Sequence, residues 1–178
     1  GYRLLSVNLA EMLINEEKDS SGEIPNKQKA FKLIDAGLKH YPDDAYLNLC
    51  QFHRYRLAGN VDLAEQHLNK VNDTSALYSN WGIVMDYIVN NKRSSLFEVL
   101  MPKMLADAVS KGQYTLEESS AIYNSQWLEL QEKLGNSSAI VKFFSDNPQY
   151  KTEPPFSRYY ENLLIADQQY DKLLEILS

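Results

Sequence analysis

The chain has 178 residues and a formal net charge of −6, and 44% of its residues are apolar, which is enough for a hydrophobic core. Its 7 glycines and 6 prolines are too few for a disordered chain or for a turn-rich all-β fold. The 18 lysines and arginines are scattered, which argues against nucleic-acid binding by this domain, because phosphate contacts need clustered basic side chains.

Cysteine and histidine usage argues against the common disulfide and metal frameworks. Cys50 is the single cysteine, so it forms neither an internal disulfide nor a cysteine-based zinc site. His40, His53 and His67 lack the short spacing of a helical metal site, and we expect neither a metal nor a cofactor. No apolar stretch reaches the ~18–20 residues that span a bilayer, so we expect no membrane insertion by this domain.

Apolar residues recur every three or four positions through nearly every segment, which predicts an all-α chain without strands. Short polar segments, often with glycine, proline or asparagine, interrupt this pattern at regular places. They delimit ten predicted helices: 2–17, 26–41, 43–58, 61–71, 75–90, 94–111, 115–134, 137–146, 155–166 and 169–178. Pro102 lies inside one of them, where we expect a kink or a division into two shorter helices.

Several predicted helix ends carry a local signal with a physical basis. Thr115 and Glu118 have the spacing of a capping box at a helix start. Gly59, Gly112 and Gly135 follow predicted helices, where a left-handed backbone conformation favours glycine. These signals support the helix boundaries that the periodicity predicts.

The predicted helices indicate an internal repeat. Ten helices in 178 residues give five pairs of about 36 residues (178/5 ≈ 36), a period typical of helical repeats. The segments 57–64 and 134–140 also share a Gly-Asn corner that a helix follows directly. We therefore predict that the helices pair into hairpins that stack in a row.

The stretch 30–46, AFKLIDAGLKHYPDDAY, places two small residues seven positions apart, a bulky residue between them and a proline after them. Small side chains at a helix crossing let the backbones approach to ~8–10 Å, and the proline stops the helix from continuing. In this pattern the chain resembles the tetratricopeptide repeat family. The matching residues are Ala30, Ile34, Gly37, Leu38 and Pro42.

The resemblance is strongest over residues 26–71 and looser elsewhere, so we interpret the chain as a divergent array, with a related helical repeat of similar period as the alternative. It implies a right-handed α-solenoid of about five antiparallel hairpins, formed by one domain over residues 1–178. The last predicted helix reaches the final residue without a cap. We therefore expect the chain to be a fragment of a larger protein.

In the family, the first helices of successive hairpins line a concave groove. Tyrosine binds other proteins well, because it combines a large flat face with a polar tip. The residues on these helices that lie off the packing stripe are our predicted partner contacts: Gln51, Arg54, Tyr55, Asp86, Tyr87, Ser125, Glu129, Arg158 and Asn162. Repeats that grip a C-terminal carboxylate need basic groove residues, whereas Gln51, Ile83 and Glu129 stand at those places, so we expect no such clamp.

Catalytic candidates each have a structural interpretation that we favour. Asp43 and Asp44 fit a helix N-cap and its first turn better than a catalytic carboxylate pair. His53 lies on the apolar side of its helix and is expected to pack, Cys50 to be buried and inert, and His67 to be exposed. The sequence has no nucleophile elbow and no glycine-rich phosphate loop, so we expect no enzyme.

Three functions remain in order of preference. The first is a non-catalytic interaction module that binds a protein or peptide, or other domains of the same larger protein. The second is a ligand-sensing or oligomerising domain of a larger transcription regulator, with a membrane-linked bacterial regulator as one form of it. The third is an enzyme with His53 beside a carboxylate. A single cysteine fits the cytoplasm and the periplasm, and we favour the cytoplasm slightly.

Overall fold

The computed structural model describes residues 27–166, and the predicted helices 2–17 and 169–178 lie outside them. Within this part of the chain there are nine α-helices, one short 3₁₀-helix and no strand. The predicted all-α fold class is therefore confirmed for residues 27–166.

We number the helices in chain order. They are α1 (Lys27–His40), α2 (Ala45–Leu57), α3 (Val61–Leu68), α4 (Thr74–Ser79), α5 (Trp81–Asn90), α6 (Ser94–Ser110), α7 (Leu116–Lys133), α8 (Ser137–Asp146) and α9 (Ser157–Ala166), with the 3₁₀-helix at Pro148–Lys151. Seven of the predicted helices agree with these bounds to within three residues. The predicted helix 75–90 is wrong as one element, because it is two helices.

Asn80 divides that segment into α4 and α5. Its backbone leaves the helical region, with φ −113° and ψ 10°. Its side-chain Nδ2 donates to the carbonyl of Ala76 at 2.9 Å. A side chain that bonds to nearby backbone groups competes with the helix, and no glycine or proline marks this break in the sequence.

Helix α6 runs without interruption through Pro102, so of the two predicted outcomes the division into two shorter helices is wrong, and the kink stays a prediction. Proline removes one helical hydrogen bond, but Pro102 lies on the exposed side of α6. The other side is buried on both flanks of the proline, and this packing stabilises the helix. The buried residues are Leu96, Phe97, Leu100, Met101, Met104, Leu105 and Ala108.

The predicted helix-end signals are confirmed. Gly59, Gly112 and Gly135 have φ of +71°, +68° and +68°, a backbone region that other residues rarely adopt. At the start of α7, Glu118 N–H donates to Thr115 Oγ1 at 3.1 Å and Thr115 N–H donates to Glu118 Oε2 at 2.7 Å. Both halves of the predicted capping box are therefore present.

The chain divides into two compact units, the first ending at Val84 and the second beginning at Met85. In the first unit α2 packs against both α1 and α3. Seven consecutive residues of α2, 47–53, are buried, so this helix is enclosed rather than one-sided. A core cluster of Ala30, Ile34 and Cys50 joins α1 to α2.

Gly37 explains why α1 needs small residues on its buried stripe. A Cβ atom at Gly37 would lie 2.8 Å from Cδ1 of Leu47 on α2. Non-bonded carbon atoms in proteins do not approach this closely. The sequence predicted a close helix crossing at this glycine, and Leu47 is the residue that fills the space.

In the second unit, α7 packs against α6, α8 and α9, and the 3₁₀-helix packs against α8 and α9. The core is largely aromatic. It is formed by Leu128, Ile140, Phe144, Phe156, Tyr159 and Leu163, with Trp127, Phe143, Tyr150 and Tyr160 partly buried around them. None of the helices described in residues 27–166 has the length and apolar character of a membrane span.

Candidate functional site

The predicted contacts on α2 form a polar network with Asp35 of α1. Asp35 Oδ1 accepts a hydrogen bond from Gln51 Nε2 at 2.7 Å and from Arg54 Nη1 at 3.0 Å. Gln51 Oε1 accepts a further, longer bond from Arg54 Nη1 at 3.3 Å. One carboxylate oxygen of α1 therefore orients both polar side chains of α2.

Aromatic rings also fix the Arg54 side chain. Its guanidinium carbon lies 4.3 Å from the ring centroid of Phe31 and 5.5 Å from that of Tyr55, both within cation–π range. The side chain keeps 26% of its surface exposed. All hydrogen bonds that Arg54 makes with the described residues come from Nη1. Its Nε and Nη2 therefore remain as donors for an external group.

Tyr55 stacks on His67 of α3, with 5.6 Å between the ring centroids and 16° between the planes. His67 Nδ1 lies 2.9 Å from Oδ1 of Asn48. Asn48 Nδ2 already donates to the carbonyls of Pro42 and Asp44, so its Oδ1 is the acceptor and His67 carries a proton on Nδ1. We predicted an exposed His67; it is half-buried because Tyr55 covers its ring.

The electrostatics around His67 keep its ring neutral. Burial lowers its pKa first, and the positive charges of Lys70 and Arg54 lower it further, while Asp35 acts in the opposite direction. Arg54 is therefore the cation of this surface. We name the surface formed by Asp35, Arg54, Tyr55 and His67 the Arg54 surface.

Two of the predicted partner contacts have almost no solvent-exposed surface. Gln51 is 4% exposed and Tyr87 is 3% exposed. The prediction placed Gln51 on an open face of its helix, but α2 is enclosed and Gln51 binds Asp35 within the fold. Tyr87 lies in a run with buried Met85 and Ile88, so it packs in the core and does not face solvent.

The remaining predicted contacts lie in the second unit. Asp86 is exposed, and its Oδ1 is 3.9 Å from Nζ of Lys133, which also pairs with Glu129 Oε1 at 3.1 Å. Ser125 is half-buried on the same helix, α7. Sequence reasoning did not select Lys133, although its spacing of four from Glu129 is typical of helical ion pairs.

The two predicted contacts on α9 lie apart from that ion pair. Asn162 Nδ2 donates to Glu132 Oε1 of α7 at 2.8 Å. Arg158 is exposed, and its guanidinium carbon lies 4.7 Å from the ring centroid of Tyr159. The structure thus brings Asn162 into contact with α7. Arg158 is a surface cation that contacts the adjacent residue, Tyr159.

The residues considered for catalysis have structural roles. Asp44 is the N-cap of α2 and accepts from Leu47 N–H at 2.9 Å, as we favoured. Cys50 is buried, and its pKa rises to about 12, mainly through burial and then through the charge of Asp44. A thiol in this state is a poor nucleophile.

His53 is fully buried, and burial, then the nearby Arg56, lower its pKa to about 4. Asn80 acts in the opposite direction, but neither ring nitrogen makes a hydrogen bond of good geometry to the described residues. No carboxylate is among the groups that shift this pKa. Within residues 27–166, no group of three or more histidine, cysteine or acidic side chains is placed to hold a metal ion.

Sequence reasoning missed a cleft of about 640 Å³ in the second unit, between α6 and α7. Pro102, Leu105 and Val109 line it from α6, and Leu116 and Tyr123 line it from α7. The sequence indicates this cleft only through Leu116, an apolar residue in the first turn of α7, where a polar residue is usual.

Comparison of the chain with protein-family models, with curated proteins and with solved structures gives no match.

Proposed function

We propose that the chain is a non-catalytic protein-interaction module that binds a peptide segment or a partner domain. The Arg54 surface is the contact region that we favour. The observation that carries this proposal is the preorganised Arg54, held by Asp35 and Phe31, with two guanidinium nitrogens that bind no other residue in the described part of the chain. A partner that presents a carboxylate or a carbonyl group beside an apolar side chain fits this arrangement.

We further propose that the helices stack as a right-handed, tetratricopeptide-like solenoid of about five hairpins. The support is local: the 36-residue period of the sequence, the packing of α1 and α3 on α2 and of α6 and α8 on α7, and the close approach at Gly37. Small-angle X-ray scattering tests the arrangement. We expect a radius of gyration clearly above the ~16 Å of a globular domain of 178 residues, and a value at ~16 Å would contradict a solenoid.

Site-specific photo-cross-linking tests the binding function. A benzophenone amino acid replaces Tyr55 in one variant and Tyr78 in a matched control, because Tyr78 is 66% exposed and lies on α4, outside the Arg54 surface. Irradiation in cells of the source organism should give a defined cross-linked species from position 55 and none from position 78. Arg54→Gln in the position-55 variant should remove that species.

Two results would count against the proposal. Identical cross-linked species from both positions would show that position 55 reports general crowding, and no species from position 55 would show that the Arg54 surface is free. Circular dichroism of Arg54→Gln checks that the fold is retained, because this substitution also removes the hydrogen bond to Asp35.

A further inference from the structure

The cleft between α6 and α7 is a second surface, separate from the predicted groove contacts. On α7 it is lined by Leu116, Ser119, Ser120, Tyr123 and Asn124. Ser125 is two residues beyond Tyr123, and two residues correspond to about 200° around a helix. The cleft therefore opens on the side of α7 opposite Ser125, and a ligand in it would not contact the groove residues of that helix.

Apolar side chains around this cleft remain in contact with solvent. Leu116 is 77% exposed, and Val99, one turn before Pro102 on the same side of α6, is 62% exposed. Pro102 and Ala106 are exposed as well. Exposed apolar side chains grouped in this way are unfavourable in water and are typical of interaction sites.

One end of the cleft carries a negative charge that has no counter-ion within residues 27–166. Glu98 lies one turn before Pro102 on the same side of α6 and makes no ion pair with the other described residues. It is close enough to Tyr123 that its charge, after burial, raises the pKa of that phenol. At the other end, Lys111 is already paired with Asp107 at 2.6 Å.

The length of the cleft sets the size of a matching ligand. From Pro102 to Ser110 the lining residues of α6 span eight positions, or ~12 Å along the helix. This distance corresponds to about two turns of a second helix, which places two or three apolar side chains in the cleft at spacings of three and four.

We propose that this cleft binds an amphipathic helical segment of a partner protein, with its apolar side between α6 and α7 and a lysine or arginine beside Glu98. The apolar part of the lining accounts for the affinity, and the carboxylate of Glu98 fixes the direction of the segment. Lys103, which follows Pro102 in the sequence, is ~100° further around α6 and so does not face this carboxylate.

A set of four synthetic peptides serves as the probe. The first is a 14-residue helical peptide with leucine at spacings of three and four and lysine elsewhere. In the second and third, glutamine or glutamate replaces every lysine, and the fourth has the first composition in scrambled order. Fluorescence anisotropy with the complete chain should rank the lysine peptide first, the glutamine peptide second, and the glutamate and scrambled peptides last.

Two surface variants locate the binding. Ala106→Glu places a charge in the cleft and should weaken binding of the lysine peptide about tenfold or more. The matched control is Val141→Glu, at a 48% exposed apolar position of α8 outside the cleft, and it should change binding less than twofold. Leu116→Gln, at a position open to solvent, is the second cleft variant should Ala106→Glu fail to fold.

Glu98→Gln tests the charge separately from the apolar surface. It should weaken the lysine peptide about two- to fivefold, the range expected for an exposed ion pair, and leave the glutamine peptide unchanged. The proposal is overturned if the scrambled peptide binds as well as the ordered one, or if Val141→Glu weakens binding as much as Ala106→Glu. It is equally overturned if the glutamate peptide binds best. These results do not depend on the Arg54 surface, so either proposal can fail alone.

Discussion

The two units hold their helices together by different means. In the first unit the enclosed helix α2 buries three polar side chains, Asn48, Gln51 and His53, and crosses α1 at a glycine. In the second unit the ring of Phe143 lies within 6.5 Å of four other rings, and Gln131 is the buried polar residue among those described. The first unit should therefore respond to pH and to small steric changes, and the second to loss of apolar volume.

The largest effect is expected from Phe144→Ala in the aromatic core. Phe144 is 1% exposed, and its removal should lower the free energy of unfolding by about 3–5 kcal/mol. Urea denaturation followed by the fluorescence of Trp127, in a Trp81→Phe background, reports on the second unit. Val141→Ala, on the same helix but 48% exposed, is the control and should cost less than about 0.5 kcal/mol. Equal losses in the two variants would show that the cluster is not the core of this unit.

The second largest effect is a loss of stability in acid through His53. Its pKa falls from 6.5 in the unfolded chain to about 4 in the fold, so between these values the unfolded state binds the proton and the folded state does not. The contribution of His53 to the free energy of unfolding is fully present above pH 6.5. It is lost as the pH falls to about 4, and the loss is on the order of 3 kcal/mol.

Urea denaturation at pH 7.5, 6, 5 and 4, followed by Trp81 in a Trp127→Phe background, measures this effect. His53→Leu should remove most of the decrease between pH 6.5 and 4. His67, whose pKa burial also lowers, acts in the same direction, and His67→Gln isolates its part. An unchanged decrease in His53→Leu would contradict the role of the buried ring.

A smaller effect is expected from paired glycine substitutions. Gly37→Ala places a methyl group against buried Leu47, so it should destabilise by about 1–2 kcal/mol although alanine favours helices. Gly82→Ala, on α5 with nothing within 4 Å of the new atom, should instead stabilise by about 0.5–1 kcal/mol. Thermal unfolding of both variants gives the two signs. A stabilising Gly37→Ala would show that α1 and α2 do not need the close approach.

The smallest effect concerns the capping box of α7. Thr115→Ala removes the acceptor for Glu118 N–H and should cost about 1 kcal/mol. Thr152→Ala, at an exposed position after the 3₁₀-helix, is the matched control and should be neutral within about 0.5 kcal/mol. The helical circular dichroism signal during urea denaturation measures both, and equal midpoints would exclude a role for the cap.

Periodicity and local signals predicted most of the helices because those signals act within a few residues. The spans of α6, α7 and α8 follow from apolar spacing, and the capping box and the three corner glycines behave as expected. Asn80 escaped detection because a single asparagine ends a helix only when its side chain turns back to the backbone, and composition does not show this.

The candidate site was predicted less well because it depends on which helices surround each residue. Arg54 and Tyr55 are half-buried, whereas Gln51 is buried because α2 has neighbours on more than one side. Asp35 and His67 belong to the same network, yet Asp35 lies 16 residues before Gln51 in the sequence and His67 lies 16 residues after it. The cleft depends on how far α6 and α7 separate, which no short motif records.

The burial of Cys50 has an experimental consequence. With a pKa of about 12 and no exposed surface, the thiol is protected from alkylating reagents in the closed chain. Since this is the chain's single cysteine, each modified molecule records one opening of the contact between α1 and α2. The rate of iodoacetamide labelling therefore measures local unfolding around Cys50, and the measurement needs no engineered probe.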